Sequence, residues 1–281
     1  MKLTKYKFLI GVIIMCLLGV CLYTAKQIAN NRAIFERNFW SAGTGIFTLT
    51  EPDGYTADYQ TVIRLMKTGS QDDFKSAEQI LLENYQETDQ VNEQLYIKNL
   101  FAIIAIGQGN YMQAEASFRE VMAHEGVYDN QPQLHFAAVN NLIVAWVRMG
   151  RVEESMMLRS YAKDYLGMLE THKFEEMVFQ YNYLVWYSNS DDEHLYRDYV
   201  KKHYKKLIVM DTLMLGKTGM ISSLSNLELG VCYMRMNQLS EAHKYFNKAQ
   251  RKNASDNALI EAMICYRQGT LMLMENKANE A

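Results

Sequence analysis

The sequence predicts an all-α fold, and three features of the chain support that prediction. The 281 residues are 49% hydrophobic and 22% charged, which supplies enough apolar material for a buried core. Only 2 prolines and 15 glycines are present, too few for the frequent turns of a β-sandwich or β-barrel. From about residue 58, apolar residues recur with helical period in one segment after another. The net charge of −3 gives no reason to expect a nucleic-acid partner.

An uncharged segment lies near the N-terminus, at residues 8–25. Its 18 residues, at about 1.5 Å of rise per residue, are just enough to cross a bilayer as a helix. Lys2, Lys5 and Lys7 precede it. The sequence therefore predicts a basic N-terminus over 1–7, a transmembrane helix over 8–25 and a juxtamembrane linker over 26–57.

Two other interpretations of this apolar segment compete with an uncleaved signal anchor. A cleaved signal peptide is disfavoured because residues 23–25, Tyr-Thr-Ala, make a poor cleavage site. Lipid attachment at Cys16 or Cys21 is disfavoured because Met15 and Val20, which are not small, precede them. The densely basic N-terminus favours a cytoplasmic N-terminus, with the rest of the chain outside the cytoplasm.

The linker divides into two parts. Residues 26–40 can continue the helix out of the membrane, whereas residues 41–57 contain turn signals such as Pro52-Asp53-Gly54. Residues 46–50, Ile-Phe-Thr-Leu-Thr, favour an extended conformation. We expect this part to be a tether or a short edge element packed on the first helices.

Four short motifs share one arrangement of residues. Each has a Gly or Asn, a mostly apolar residue two positions later and a small residue five positions later. Gly and Asn tolerate the positive φ of a tight turn, and a small residue lets two helices approach closely. Each motif therefore predicts a turn followed by the second helix of a helical hairpin. The motifs are residues 109–114, 150–155, 237–242 and 276–281.

The small residues of these motifs are nearly evenly spaced. Counting from Ala77 of an earlier, weaker copy, the successive intervals are 37, 41, 87 and 39 residues. The interval of 87 is about two repeats, so one diverged hairpin is expected at 172–210. Its two helices are predicted at 173–187 and 191–210.

The best-defined copy, residues 229–249, places Leu229, Gly230, Ala242 and Phe246 at offsets that residues 101–121 repeat. This pattern resembles the tetratricopeptide repeat (TPR), a helical hairpin of about 34 residues. The usual proline at the end of the repeat is absent, and the intervals are longer than the standard period. The resemblance implies a right-handed solenoid of about five to six hairpins over 58–281, the last one incomplete. An unrelated α-bundle is the alternative.

The resemblance also implies a concave wall, formed by the first helix of each hairpin, that takes an extended peptide or a partner helix. Family members that grip a C-terminal carboxylate use Lys, Asn and Arg there. Here only Asn99, Asn140 and Asn141 are candidates, without a basic pair, so an adaptable apolar surface is expected instead. The predicted wall residues are Tyr96, Asn99, Ile103, Ile106, Asn140, Val144, Val147, Leu227, Val231 and Met234.

Five basic residues recur along the helix predicted at 191–210. They form either a solvated outer face or a docking surface for an acidic partner segment or anionic headgroups. These residues, the basic stripe, are Arg197, Lys201, Lys202, Lys205 and Lys206.

Motifs of catalysis and metal binding are missing from the sequence. The chain has no H-E-x-x-H, no C-x-x-C, no G-x-G-x-x-G and no G-x-S-x-G. Gly216-Lys217-Thr218 resembles the end of a phosphate loop, but Asp211 stands where its first glycine belongs. We therefore expect no enzyme, metal or cofactor. Cys232 and Cys265 are expected to be small buried residues, although a disulfide between them stays open.

These features favour a membrane-anchored TPR-like scaffold that binds a protein or peptide partner, as an assembly or secretion accessory. A second hypothesis is a peptide- or ligand-sensing module that signals through the membrane helix. A third is a structural repeat protein that self-associates into a homo-oligomer.

Overall fold

The computed structural model describes residues 2–41, 45–49, 57–166, 173–188, 199–216, 219–253 and 258–280. Within these ranges the chain is helical apart from two short strands. In chain order the elements are α1 (Lys2–Asn38), β1 (Phe39–Ser41), β2 (Ile46–Thr48), α2 (Ala57–Thr68), α3 (Gln71–Glu87), α4 (Val91–Gly107), α5 (Tyr111–Ala123), α6 (Val127–Asn130), α7 (Pro132–Arg148), α8 (Val152–Leu166), α9 (Lys173–Ser188), α10 (Lys201–Leu215), α11 (Met220–Arg235), α12 (Leu239–Lys252) and α13 (Ala258–Glu280).

Helices that follow one another in sequence pack as antiparallel-type hairpins: α2 with α3, α4 with α5, α7 with α8, α9 with α10 and α11 with α12. Each hairpin also contacts the next, through α3 and α4, α5 and α7, α8 and α9, α10 and α11, and α12 and α13. The all-α array of helical hairpins predicted from the sequence is therefore confirmed.

Three of the four predicted turns occur at the expected residues. Gly109, Gly150 and Asn237 have positive φ angles of 83°, 73° and 56°. Left-handed backbone is accessible to Gly and, among other residues, chiefly to Asn, which explains the residue choice. The turn predicted at Asn276 is wrong, because α13 continues as a helix to Glu280.

The small residues of the repeat do allow close helix contacts. A Cβ atom on Gly230 of α11 would lie 2.4 Å from the ring of Phe246 in α12. A Cβ atom on Gly107 of α4 would lie 2.6 Å from the ring of Phe74 in α3. Two helix contacts thus depend on a glycine facing a phenylalanine.

The predicted capping signal at Ser70 begins α3 as expected. Ser70 Oγ accepts a hydrogen bond from the Asp73 N–H at 3.1 Å, which satisfies one unpaired donor of the first turn. Hydrogen bonds from the hydroxyls of Ser70 and Thr68 to the Asp73 carboxylate lower the pKa of Asp73. The second predicted capping signal, residues 190–193, lies outside the described residues.

The helices of the diverged hairpin differ from the prediction at one end. The first, predicted at 173–187, is confirmed as α9. The second extends to Leu215, five residues beyond the predicted end, and residues 191–198 lie outside the described part of the chain. Cys232 is buried as expected, but the prediction is wrong for Cys265, which is exposed.

Buried apolar residues form two large clusters along the array. The first joins α2 to α7 and includes Trp40, Phe47 and Leu49 from the N-terminal segment. The second joins α9 to α13 and includes Phe39 and Ile46 from the same segment. The short segment around β1 and β2 therefore contributes to both halves of the core.

No helix among the residues that the structure describes is long and apolar enough to cross a lipid bilayer. For the transmembrane helix predicted at 8–25, the side chains of residues 8–14 and Cys16 are outside the described part. The predicted helical continuation from residue 26 is confirmed, since α1 ends at Asn38.

Candidate functional site

The strands β1 and β2 form an antiparallel pair in the interior of the protein. Phe39 pairs with Thr48, Trp40 with Phe47 and Ser41 with Ile46, and none of the six is more than 2% exposed. β2 contacts α7 and α9. The predicted extended conformation is confirmed for Ile46–Thr48, but the expected position as a tether or edge element is wrong, because the apolar side chains of the segment enter the core.

The main chain of β2 forms hydrogen bonds on both edges. On one edge, the Leu49 N–H donates to the carbonyl oxygen of Asn38, which leads into β1, at 2.7 Å. Because strand residues point alternately to the two edges, the polar groups of Ile46 and Thr48 face away from β1. That second edge faces asparagine side chains from three helices.

Two carboxamides each bind one residue of β2 in bidentate fashion. Asn182 of α9 accepts from the Ile46 N–H at 2.7 Å and donates to the Ile46 carbonyl at 2.8 Å. Asn141 of α7 does the same for Thr48, at 2.8 and 2.9 Å. A carboxamide offers the same donor and acceptor as a peptide group, so these side chains replace a neighbouring strand.

Two further asparagines complete the site. Asn140 Nδ2 lies 3.1 Å from both the carbonyl oxygen of Ile46 and Oγ1 of Thr48, and it donates to both. Asn99 of α4 donates to the Thr48 carbonyl at 3.4 Å. The four asparagines, called here the asparagine row, are at most 4% exposed. The row is Asn99, Asn140, Asn141 and Asn182.

The asparagine row is also bonded from one repeat to the next. Asn141 Nδ2 donates to Asn99 Oδ1 at 3.1 Å, and Asn182 Nδ2 donates to Asn140 Oδ1 at 2.9 Å. Each of the four carboxamides therefore takes part in a hydrogen bond within the row as well as in one to β2. In a buried site such fully paired networks are rigid, whereas an unpaired member is costly.

The sequence interpretation did not identify Asn182 as a site residue. A signal was available, because Asn99, Asn141 and Asn182 are separated by 42 and 41 residues, close to the interval between repeats. Asparagines that recur with the period of a helical repeat lie at equivalent positions of successive hairpins.

Side chains around β2 come from several helices. The Phe47 ring lies 5.1 Å from the guanidinium carbon of Arg148, and burial lowers the pKa of that arginine. The Tyr59 hydroxyl donates to the Leu49 carbonyl at 3.2 Å. Gly45 has φ of +115°, and a Cβ atom there would lie 2.7 Å from Val144 Cγ1. The chain enters β2 through a position that only glycine fills without strain.

The wall residues predicted from the sequence are buried rather than arranged on one open surface. Tyr96, Ile103, Ile106 and Val144 lie in the first core cluster, with Asn99 and Asn140 beside them in the asparagine row. Leu227, Val231 and Met234 lie in the second core cluster, and half-buried Val147 packs against a third, smaller one. Their role in binding a partner stays a prediction.

Three of the five residues of the basic stripe lie exposed on one helix. Lys202, Lys205 and Lys206 are exposed on α10, whereas the Lys201 ammonium lies 5.4 Å from the Tyr233 ring of α11. Arg197 lies outside the described residues. A docking role for this stripe stays a prediction.

Two carboxylates are buried at or beside α11: Asp211 of α10, which lies next to the start of α11, and Glu228 in the middle of α11. Asp211 Oδ2 accepts from the Ser222 N–H at 2.8 Å, and burial raises the pKa of Asp211. Burial raises the pKa of Glu228 to about 7, partly offset by Arg267 and Arg235. Within the described ranges, no three His, Cys, Asp or Glu side chains lie close enough together to hold a metal ion.

Comparison with known proteins does not show a family for this chain. No protein-family model matches the sequence, and no curated protein matches it. A crystal structure described as a Podosopora anserina putative kinesin light chain with nearly identical TPR-like repeats is 14% identical, with a TM-score of 0.49. The match covers 70% of this chain and 94% of that one. The chain has a TPR-like helical-repeat fold, as its own helical hairpins and their turns show.

Proposed function

We propose that this chain is a membrane-anchored, non-catalytic scaffold that binds a protein partner through its helical repeats, as an assembly or secretion accessory. The observation that carries this proposal is the bound strand β2. Its main chain is held by carboxamides from three successive first helices, which are suited to binding polypeptide and not to transforming it. Carboxamides neither donate nor accept protons for acid–base catalysis at neutral pH.

The apolar segment of α1 supports the membrane part of the proposal. Residues 8–25 carry no formal charge. Among those whose side chains are described, Met15 and Leu22 are 74% and 71% exposed, and further along the helix Asn31 donates a hydrogen bond to α10 of the repeats. Exposed apolar residues of this density mark a surface that another apolar phase covers. A bilayer is the phase that the length of the segment fits.

The second candidate, a sensing module, is favoured by the connection between α1 and the site. α1 runs directly into β1, and Asn31 and Arg32 donate to the Met214 and Leu215 carbonyls of α10, at 3.0 and 2.9 Å. A movement of α1 would therefore be transmitted both to the end of α10 and to the strand in the asparagine row.

Extraction of membranes at alkaline pH tests the anchor. The full chain is expected to stay in the pellet, whereas the double substitution Leu18→Lys and Val20→Lys is expected to release it, because charge at the centre of a bilayer is costly. Release of the unsubstituted chain would contradict the anchor. Protease accessibility in intact cells and spheroplasts then decides on which side the repeats lie.

Site-specific photo-cross-linking in cells tests the scaffold. A photoreactive amino acid at Met112, Leu213 or Tyr266, which are 72%, 74% and 68% exposed, samples three faces of the array. We expect a cross-link to the same partner protein in repeated experiments, and a loss of that cross-link with the charged anchor. Cross-links only between copies of this chain would favour the structural, self-associating alternative.

A further inference from the structure

We propose that the asparagine row is a binding site for an extended peptide segment of a partner, and that β2 occupies this site until such a segment replaces it. This inference rests on the proposed scaffold function and names the class of partner. The ligand is a strand-like segment with apolar side chains and a small hydroxyl residue, as in Ile-Phe-Thr-Leu.

The first argument is that the row recognises main chain. Every bond from Asn182 and Asn141 to β2 goes to the N–H or carbonyl of Ile46 and Thr48. The one side-chain contact of the row with β2 is from Asn140 Nδ2 to Thr48 Oγ1, at 3.1 Å. Any polypeptide in extended conformation presents the same groups two residues apart on one edge, so β2 is not uniquely suited to the row.

The second argument is that the row is ordered by its own bonds. Asn141 is held by Asn99, and Asn182 by Asn140, across successive helices. A segment that replaces β2 therefore meets carboxamides that are already oriented, which lowers the entropic cost of binding.

Third, the surroundings of β2 determine which side chains a replacing segment must carry. Ile46 and Phe47 are fully buried and Leu49 is 1% exposed, so an incoming segment must also supply apolar groups at these three positions. The Arg148 guanidinium near the Phe47 ring favours an aromatic residue at the second position. Thr48 Oγ1 accepts from Asn140, which favours a hydroxyl or another small acceptor at the third.

Fourth, placing β2 in the row requires a backbone turn that a separate segment does not require. The chain must turn at Gly45 with a left-handed backbone, pressed against Val144, to place β2 in the row. A separate peptide that begins at the position of Ile46 does not need this turn.

The test uses the full chain in detergent and the probe acetyl-Ile-Phe-Thr-Leu-Thr, labelled through an added C-terminal lysine, with fluorescence anisotropy as the readout. Gly45→Ala strains the entry to β2 without altering the row, because its Cβ atom meets Val144. We expect this variant to bind the probe about tenfold more tightly than the unsubstituted chain, because more molecules have an open row. Adding Asn182→Ala is expected to remove the binding.

Gly109→Ala is the matched control. Gly109 also has a positive φ, of 83°, but lies in a repeat turn where a Cβ atom would meet nothing within 4 Å. Its substitution strains the backbone away from the site, so its affinity for the probe should equal that of the unsubstituted chain. Equal tightening by Gly109→Ala and Gly45→Ala would overturn the proposal, as would the absence of saturable binding to folded Gly45→Ala at about 100 µM probe.

Hydrogen exchange on the unsubstituted chain keeps the proposal testable if Gly45→Ala does not fold. We expect saturating unlabelled peptide to speed amide exchange in the segment containing β1 and β2 while α4 and α7 stay protected. Unchanged exchange in that segment would overturn the proposal. Either negative result leaves the cross-linking test of the scaffold untouched, so the two failures are distinguishable.

Discussion

The helices α7 and α11 are equivalent first helices of two hairpins, yet their buried asparagines form hydrogen bonds to different partners. In α7, Asn140 and Asn141 reach out of the hairpin to β2, which lies more than 90 residues earlier in the chain. In α11, Asn226 donates to the Ser222 carbonyl of its own helix at 2.7 Å, and Ser223 donates to the Ala249 carbonyl of α12 at 2.8 Å. The asparagines of α7 bind a distant segment, whereas the asparagine of α11 binds its own helix.

A single repeat pattern can therefore support two kinds of core. Where a glycine and a large ring meet, as at Gly230 and Phe246, the two helices of a hairpin pack directly on each other. Where asparagines recur along successive helices, the array is completed by an extended segment. Substitutions in the two kinds of core are expected to change the free energy of unfolding by different amounts.

The largest effect is expected from Asn141→Ala. The substitution removes both bonds to Thr48 and leaves Asn99 Oδ1 without the donor it has in the protein. Since each buried polar group left unpaired costs about 1–3 kcal/mol, we expect a loss of about 4 kcal/mol in the free energy of unfolding. Urea denaturation measures this loss, with the exposed Asn92→Ala of α4 as the control. A loss as small as that of the control would show that the row does not stabilise the fold.

The next effect concerns the buried Glu228 of α11. Burial raises its pKa from 4.5 to about 7, so the folded state binds this proton more tightly than the unfolded state. Its contribution to stability is therefore greatest below about pH 4.5 and is lost as the pH rises to about 7. Glu228→Gln removes this loss and should stabilise the protein by about 3 kcal/mol at pH 8.

Urea denaturation of this variant between pH 4.5 and pH 8 checks the sign. The stability difference from the unsubstituted chain should grow as the pH rises, whereas Glu153→Gln, at an exposed position of α8, should show a flat difference. A difference for Glu228→Gln that shrinks with rising pH would contradict the burial argument.

A smaller effect is expected from Gly230→Ala, which places a methyl group against the Phe246 ring. Overpacking of this kind costs about 2 kcal/mol, measurable by thermal denaturation. Gly269→Ala in α13 is the matched control, because a Cβ atom there meets nothing within 4 Å. That substitution should instead stabilise the helix by about 0.5–1 kcal/mol, since Ala is the better helix former. The same sign for both substitutions would contradict close packing at Gly230.

The smallest effect is expected from Tyr181→Phe. Tyr181 is fully buried in α9 next to the bidentate Asn182, and its hydroxyl has no hydrogen-bond partner. Removing a buried, unpaired hydroxyl recovers its desolvation cost, so the free energy of unfolding should stay unchanged or rise by about 1 kcal/mol. A loss above about 2 kcal/mol in urea denaturation would show that the hydroxyl is paired in solution.

Much of the repeat architecture could be predicted from local patterns. Gly109, Gly150 and Asn237 were identified as turn residues because few other residues adopt positive φ, and all three do so. The prediction of a turn at Asn276 is wrong because the motif only permits a turn and does not require one. Asparagine is also compatible with a helix interior, and α13 continues through it.

The candidate site was predicted less completely. Asn99 and Asn140 belong to the predicted wall, whereas Asn141 is only a candidate for a carboxylate clamp, which the missing basic pair argues against. Asn182 lay in a hairpin too diverged to align, although its spacing from Asn141 matches the repeat. The partner of these side chains could not be found from local patterns, because residues 46–50 are extended and apolar whether they lie at an edge or in the core.

Local patterns were enough to predict the helical hairpins and three of the four turns, because these features depend on neighbours within one repeat. That β2 fills the asparagine row follows from the folded structure alone. Thr48 and Asn141 are 93 positions apart in the chain, and Ile46 and Asn182 are 136 positions apart. Because the asparagines bind main-chain groups, the identity of the bound residues does not reveal the contact. A peptide group is common to every residue, so a site that binds main chain is visible only when the chain is folded.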